Sequence, residues 1–388
     1  MKPAKYILPV IVFSQFCCTS LWFATNGVIE DLVTSFTLDH SALGHLSSAV
    51  QFGFIIGTFL FALLTITDRF APSKVFFISA VLAAVFNVLI VLENHNLWSL
   101  VMLRFFTGFF LAGIYPVGMK IAADYYNKGL GKSLGFLVGA LVLGTAFPHV
   151  LKGFGSGFLW QDIIYTTTAL AVIGGVVMFA FVPNGPYRKS AAKFDVSVLF
   201  NVFKVREFRK AAFGYFGHMW ELYTFWAFVP ILLGAYVEYH PSVTFNIPLL
   251  SFIIIASGGI ACVISGYLSQ MFGIKKIGAI ALALSGICCL VSPLFFSLES
   301  EISFIIFLLF WGMVVVADSP LFSTLVAQNV SAEHKGTALT IVNSIGFAVT
   351  IVSIQLASSL IDVMAVKYLF LFIAIGPVLG LVGLLKRS

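Results

Sequence analysis

Long apolar runs alternate along the chain with short breaks rich in charge, Gly, Pro or Asn. The runs fall near 6–28, 42–66, 74–92, 97–119, 132–151, 160–182, 211–235, 248–270, 276–297, 302–327, 337–360 and 366–385. Each is about 20 residues long or more, the length a helix needs to cross a bilayer core, so the pattern predicts twelve membrane-spanning helices. The longest polar interval, PNGPYRKSAAKFDVSVLFNVFKVREFRK, divides them six and six. The expected organisation is an N-terminal six-helix bundle over 1–182, a linker over 183–210 and a C-terminal six-helix bundle over 211–388. The LFNVFKVREFRK end of that linker suits either a basic amphipathic helix on an anionic membrane surface or a solvated connection.

Composition narrows the function. Of 388 residues, 60% are hydrophobic and only 10% charged, against about 25% charged in soluble domains. Twelve spans leave no room for a soluble catalytic or nucleotide-binding domain, and G-x-x-x-x-G-K-[ST], H-E-x-x-H and G-x-S-x-G are absent. Neither enzymatic activity nor a metal or other cofactor is expected. The first run follows Lys2 and Lys5 but is far longer than a signal-peptide core of about 7–15 residues, so it reads as a retained helix. The five cysteines all fall in spans and read as packing residues.

The net charge of +6 is explained by topology. With a cytoplasmic N-terminus, every Lys and Arg except Lys152, Lys367 and Arg104 falls in cytoplasmic loops or termini. The outer loops instead carry Glu30, Asp31, Asp39, Glu93, Asp162, Glu238, Glu299, Glu301 and Asp362. This satisfies the positive-inside rule with both termini cytoplasmic. The basic balance therefore implies a lipid bilayer and no nucleic acid.

Ionisable groups inside spans are costly and mark function by default. Glu221 lies near the middle of span seven, Arg104 within span four and Asp318 in span ten. His218 shares a helical face with Glu221 at i, i+3; the two suit proton coupling or substrate binding, or a fixed interhelical pair. Arg104 suits an anion clamp or a coupling partner, or a static ion pair. Asp318 suits a role in transport or in a gate. In span one, Gln15, Thr19, Trp22 and Asn26 form one helical stripe that either lines a cavity or bonds across helices. Its second-half equivalent contains His218, Glu221 and Trp226. His149, with Lys152 beyond it, suits an outer gate or a solvated helix end, and Gly131, Gly135 and Gly139 suit close helix packing.

The halves also repeat. LLTITDRFAPSK aligns with GYLSQMFGIKK at an offset of 202, and Tyr115-Pro116 meets Ser319-Pro320 at 204. These features resemble the major facilitator superfamily over essentially the whole chain. Its loop motif G-x-x-x-D-R-x-G-[RK]-[RK] is split between Asp68 and Arg69 in the first copy and Gly266, Gly273, Lys275 and Lys276 in the second. Its span-four R-x-x-x-G appears as Arg104 with Gly108. The segments around RFFTGFFLAGIYPVG, GHMWELYTFWAF and VVADSPLFSTLVA are similar to a bacterial branch grouped with nitrate/nitrite and cyanate porters. The drug-antiporter pattern G-P-x-x-G-G and the Gly-Asn-rich runs of true nitrate porters are missing.

The resemblance implies two six-helix bundles related by a pseudo-twofold, with Asp68 and Arg69 in a cytoplasmic gate that latches one state and Arg104 tied to proton coupling. The expected function is secondary transport of a small-molecule substrate by alternating access, coupled to protons. The expected setting is a monomer in a bacterial inner membrane, and Arg104 makes an anionic substrate plausible. The alternatives are a proton-driven exporter of hydrophobic compounds and a non-transporting receptor of the same fold.

Overall fold

The computed structural model describes residues 4–39, 41–126, 130–154, 158–188, 201–331 and 334–386. The chain divides into two compact units, Met1–Asp195 and Val196–Ser388. The first unit contains α1 (Ile7–Thr19), α2 (Ile29–Ser35), α3 (Ala42–Leu63), α4 (Ile66–Arg69), α5 (Pro72–Val88), α6 (Leu97–Leu111), α7 (Tyr115–Tyr125), α8 (Leu130–Gly153) and α9 (Trp160–Phe181). The second contains α10 (Arg206–Tyr239), α11 (Ile247–Phe272), α12 (Ile274–Ser297), α13 (Glu301–Ala317), α14 (Ser319–Gln328), α15 (Lys335–Leu360), α16 (Leu369–Ile373) and α17 (Ile375–Leu385).

Every regular element among the described residues is helical, as a bilayer demands, because a helix satisfies its own backbone polar groups. Among the described residues, eleven helical stretches are long and apolar enough to cross a membrane, with α6–α7 and α13–α14 each serving as one. The remaining apolar helix, α1, is shorter. The chain is an all-α, multi-pass membrane protein. The starts of α6 and α11 carry polar caps: Asn96 accepts from Ser99 N at 3.0 Å, and Asn246 accepts from Leu249 N at 3.1 Å.

The first span departs from the expected continuous helix over 6–28. α1 ends at Thr19, residues 20–25 run through turns, a 3-10 turn covers Asn26–Val28, and α2 continues to Ser35. The even apolar pattern conceals this break, whose cause lies on another helix and is described below. In the linker interval, residues 189–200 lie outside the described residues. REFRK forms the first turn of the 34-residue α10 and is not a separate surface helix.

The internal repeat has structural counterparts. Spans four and ten both break just before their prolines: α6 gives way to α7 at Ala112–Ile114 before Pro116, and α13 gives way to α14 at Asp318 before Pro320. A proline withdraws the N–H that would bond four residues back. In span ten the freed Val316 carbonyl accepts instead from Cys262 Sγ at 3.3 Å, and Ser265 Oγ donates to Ala317 O at 2.5 Å.

Each broken helix also packs closely on a partner. A Cβ at Gly108 would lie 2.0 Å from Val50 O of α3, and one at Gly312 would lie 2.2 Å from Ile254 O of α11. These glycines are 204 residues apart, the offset of the proline pair. Gly312→Val is therefore expected to lower thermal stability in detergent by about 1–3 kcal/mol through overpacking. Gly266→Ala, where nothing lies within 4 Å of the added atom, serves as the near-neutral comparison in the same melting experiment. The expected close approach along Gly131, Gly135 and Gly139 is not seen at Gly135, which faces open space. Gly144 makes it instead, against Thr19 and Phe16.

Candidate functional site

In the second unit the site is built on the middle of α10. The Glu221 side chain is fully buried and its two oxygens are held by separate donors. Oε1 accepts from Trp311 Nε1 of α13 at 2.7 Å and from Cys289 Sγ of α12 at 3.3 Å, while Oε2 accepts from Ser285 Oγ of α12. Ser285 and Cys289 are one helical turn apart, so a single face of α12 reaches both oxygens. Trp311 is fixed by Phe225, Phe307 and Phe370, with ring centroids 4.7, 5.5 and 4.8 Å away. These contacts give the carboxyl a defined place, with no cationic partner among the described residues.

One turn earlier on α10, His218 Nδ1 lies 2.7 Å from Asp318 Oδ1, with both side chains buried. Asp318 occupies the N-cap position of α14 but makes no capping bond there; its carboxylate faces the histidine. The approach is an ion-pair distance: none of His218 Nδ1 and Nε2 or Asp318 Oδ1 and Oδ2 makes a geometrically formed hydrogen bond among the described residues. The predicted face of His218 and Glu221 thus holds two ionisable centres on consecutive turns, and these two side chains do not pair with each other.

In the first unit, Arg104 is fully buried on α6 and takes part in no ion pair among the described residues. Its Nη1 donates to Leu21 O at 3.1 Å and to Asn87 Oδ1 at 3.4 Å. Its Nη2 donates to Leu21 O at 3.1 Å and to Trp22 O at 2.5 Å. The guanidinium therefore caps the carbonyls released where span one unwinds, which accounts for the break after α1. Asn87 is held in turn by Ile164 O, Thr167 and Thr168 of α9.

The span-one residues do not share one helical stripe, because the helix ends within it. Thr19 donates to Gln15 O at 2.8 Å and Ala140 O at 3.4 Å, Asn26 donates to Ser47 Oγ at 2.9 Å, and Trp22 packs on Phe54 at 4.9 Å. Gln15 lies against Gly118 of α7. Trp226 is buried beside Tyr223, 5.2 Å between rings. His149 is buried at 2% exposure, which removes the solvated-end reading, and Lys152 pairs with Asp31 at 2.7 Å.

In the loop motif the Asp68 side chain lies outside the described residues, and Arg69 Nε donates to Thr65 Oγ1 at 3.1 Å. Gly273, at φ +93°, ends α11 so that α12 starts at once with Ile274, Lys275 and Lys276. Lys275 approaches Glu207 at 3.6 Å. Gly266 faces open space. Among the described residues no cluster of three His, Cys, Asp or Glu is placed to hold a metal ion. Sequence reasoning missed Ser285, Cys289, Trp311 and Asn87; the only signal was the i, i+4 spacing of Ser285 and Cys289 in a span.

A family model described as Major Facilitator Superfamily matches residues 11–354. The chain belongs to the major facilitator superfamily. Its fold is similar to that of a mutant of the nucleoside transporter NupG, with a TM-score of 0.75, 14% identity, and 98% of each chain covered. It is also similar to a bacterial homolog of the human lysosomal transporter Spinster in an inward-facing and occupied conformation, with a TM-score of 0.73 and 11% identity. That match covers 99% of this chain and 97% of the other. No curated protein gives a significant sequence match. Superfamily membership makes this protein a secondary transporter rather than an enzyme.

Proposed function

We propose that this superfamily member is a proton-coupled carrier of a small solute. In this reading Glu221 is the coupling carboxyl, and the His218–Asp318 pair is a second ionisable centre at the joint of span ten. The observation that carries it is a fully buried carboxyl in the middle of a membrane helix, held by three neutral donors. A buried carboxylate without a counter-ion is costly, and taking up a proton removes that cost. A carrier needs such a group to link solute movement to a proton gradient. The sorting of basic loops supports a bacterial inner-membrane setting with both termini cytoplasmic, and the two bundles suit a monomeric alternating-access carrier in which the Asp68-Arg69 loop contributes to a gate.

A place in the branch similar to nitrate/nitrite and cyanate porters is part of this reading; Arg104 is what pointed to an anionic solute, but its guanidinium is committed to the Leu21 and Trp22 carbonyls. That contact favours a solute that does not use Arg104 as its counter-ion. The test is a thermal-shift screen of purified protein against a solute library, followed by flux into liposomes with and without a pH gradient. Gradient-driven flux of a stabilising solute is expected. Binding without flux would replace this reading with a receptor, and flux of lipophilic cations would replace it with an exporter of hydrophobic compounds.

A further inference from the structure

We infer that Ser285 is the positioning residue that fixes the proton of Glu221 on Oε2 and lets the carboxyl change charge without orphaning a buried polar atom. This rests on the reading of Glu221 as the coupling carboxyl. Ser285, Cys289 and Trp311 form a cage around the carboxyl whose members differ in what they can donate and accept.

An indole N–H only donates, a thiol donates weakly and accepts weakly, and a hydroxyl does both well. With Glu221 ionised, Trp311, Cys289 and Ser285 all donate to it. A proton placed on Oε1 would point toward the Trp311 N–H, which cannot accept. A proton placed on Oε2 meets Ser285 Oγ, which can. One O–H bond forms on Oε2, the serine hydroxyl turns from donor to acceptor, and its own hydrogen, still bonded to Oγ, rotates toward the Ala281 carbonyl four residues back. Helical serines in this chain already make such bonds four residues back: Ser251 to Ile247 O at 2.8 Å and Ser297 to Pro293 O at 2.9 Å. With that bond made, both charge states are hydrogen-bonded, so the change avoids the penalty of about 1–3 kcal/mol for each buried group left unpaired.

The surroundings leave few competing partners. The ionisable neighbours are Cys288 and Cys289 from α12 and Asp318 from the joint of span ten, with His218, one turn away on α10, directed at Asp318. From α15, Thr350 donates to Met219 O at 3.1 Å, and Ser353 accepts from Thr224 at 2.8 Å. From α17, Gly376 and Gly380 face Trp220 and Gly217.

The experiment is a pH titration of the full-length protein in lipid, followed by infrared difference spectroscopy without added solute. The carboxylic C=O band of Glu221 is the one missing in Glu221→Gln. Ser285→Ala is expected to move that band to the higher frequency of an acid whose O–H no longer donates, with the Trp311 and Cys289 bonds to Oε1 kept, and to displace the titration midpoint by about threefold or more in proton concentration. Ser285→Thr, which keeps the hydroxyl, returns both toward the parent values. Ser292→Ala removes a hydroxyl of the same helix that bonds Cys289 O at 2.9 Å and leaves both unchanged. A parent-like band and midpoint in Ser285→Ala overturn the inference alone, whatever happens to its melting temperature. Identical spectra for Glu221→Gln and the parent overturn the coupling role of Glu221 and this inference with it.

Discussion

Glu221→Gln is expected to abolish solute accumulation against a gradient while sparing exchange. For one proton per solute, a gradient of one pH unit supports about tenfold accumulation, since one unit is 1.36 kcal/mol. The variant is expected to bring that ratio to one in liposomes. Glutamine preserves the shape of the cage: its carbonyl oxygen can accept from Trp311 and Cys289, while its NH₂ donates to Ser285 Oγ acting as acceptor. It resembles the protonated carboxyl locked in place, so counterflow of labelled against unlabelled solute continues. Accumulation that follows the pH gradient in this variant would remove Glu221 from coupling. Loss of both accumulation and counterflow would place it in solute binding or in the fold.

The second large effect is expected at Arg104. Arg104→Ala removes the donors to Leu21 O and Trp22 O, both beside fully buried side chains. Hydrogen bonds to a charged group contribute about 1.5–3 kcal/mol each, and a bilayer offers no water to replace them. A loss of about 3 kcal/mol or more is expected, read as a large fall in melting temperature. Arg104→Lys keeps the charge but offers one point of donation in place of a planar fork, so it is expected to fall between the two. An anion clamp predicts the reverse: near-normal stability with weakened solute binding. Isothermal titration with a solute found in the thermal-shift screen separates the two, because a cap leaves the affinity of folded Arg104→Lys protein close to that of the parent.

These residues show where sequence reasoning reaches its limit. Arg104, Glu221 and Asp318 stand out in the sequence because charge in an apolar span is rare and costly. Their partners do not stand out. Ser285, Cys289 and Trp311 are ordinary in a membrane helix, and their importance comes from three helices meeting at one carboxyl. Arg104 read as a group in need of an anion, but its partners are backbone carbonyls, which no side-chain pattern reveals. The Gln15, Thr19, Trp22 and Asn26 spacing implied a straight helix, and that geometry failed because a cation on α6 draws off the carbonyls of Leu21 and Trp22.

The sequence by itself determined the membrane class, the spans after the first, the sidedness pattern of charge and the repeat that carries the proline breaks of spans four and ten. These follow from local chemistry: apolar length, proline's missing N–H and the cost of burying charge act residue by residue. Only the tertiary structure decided how the buried charges are satisfied. Glu221 is met by neutral donors, His218 by Asp318 and Arg104 by an unwound backbone, because hydrogen-bond partners far apart in the chain are chosen by packing.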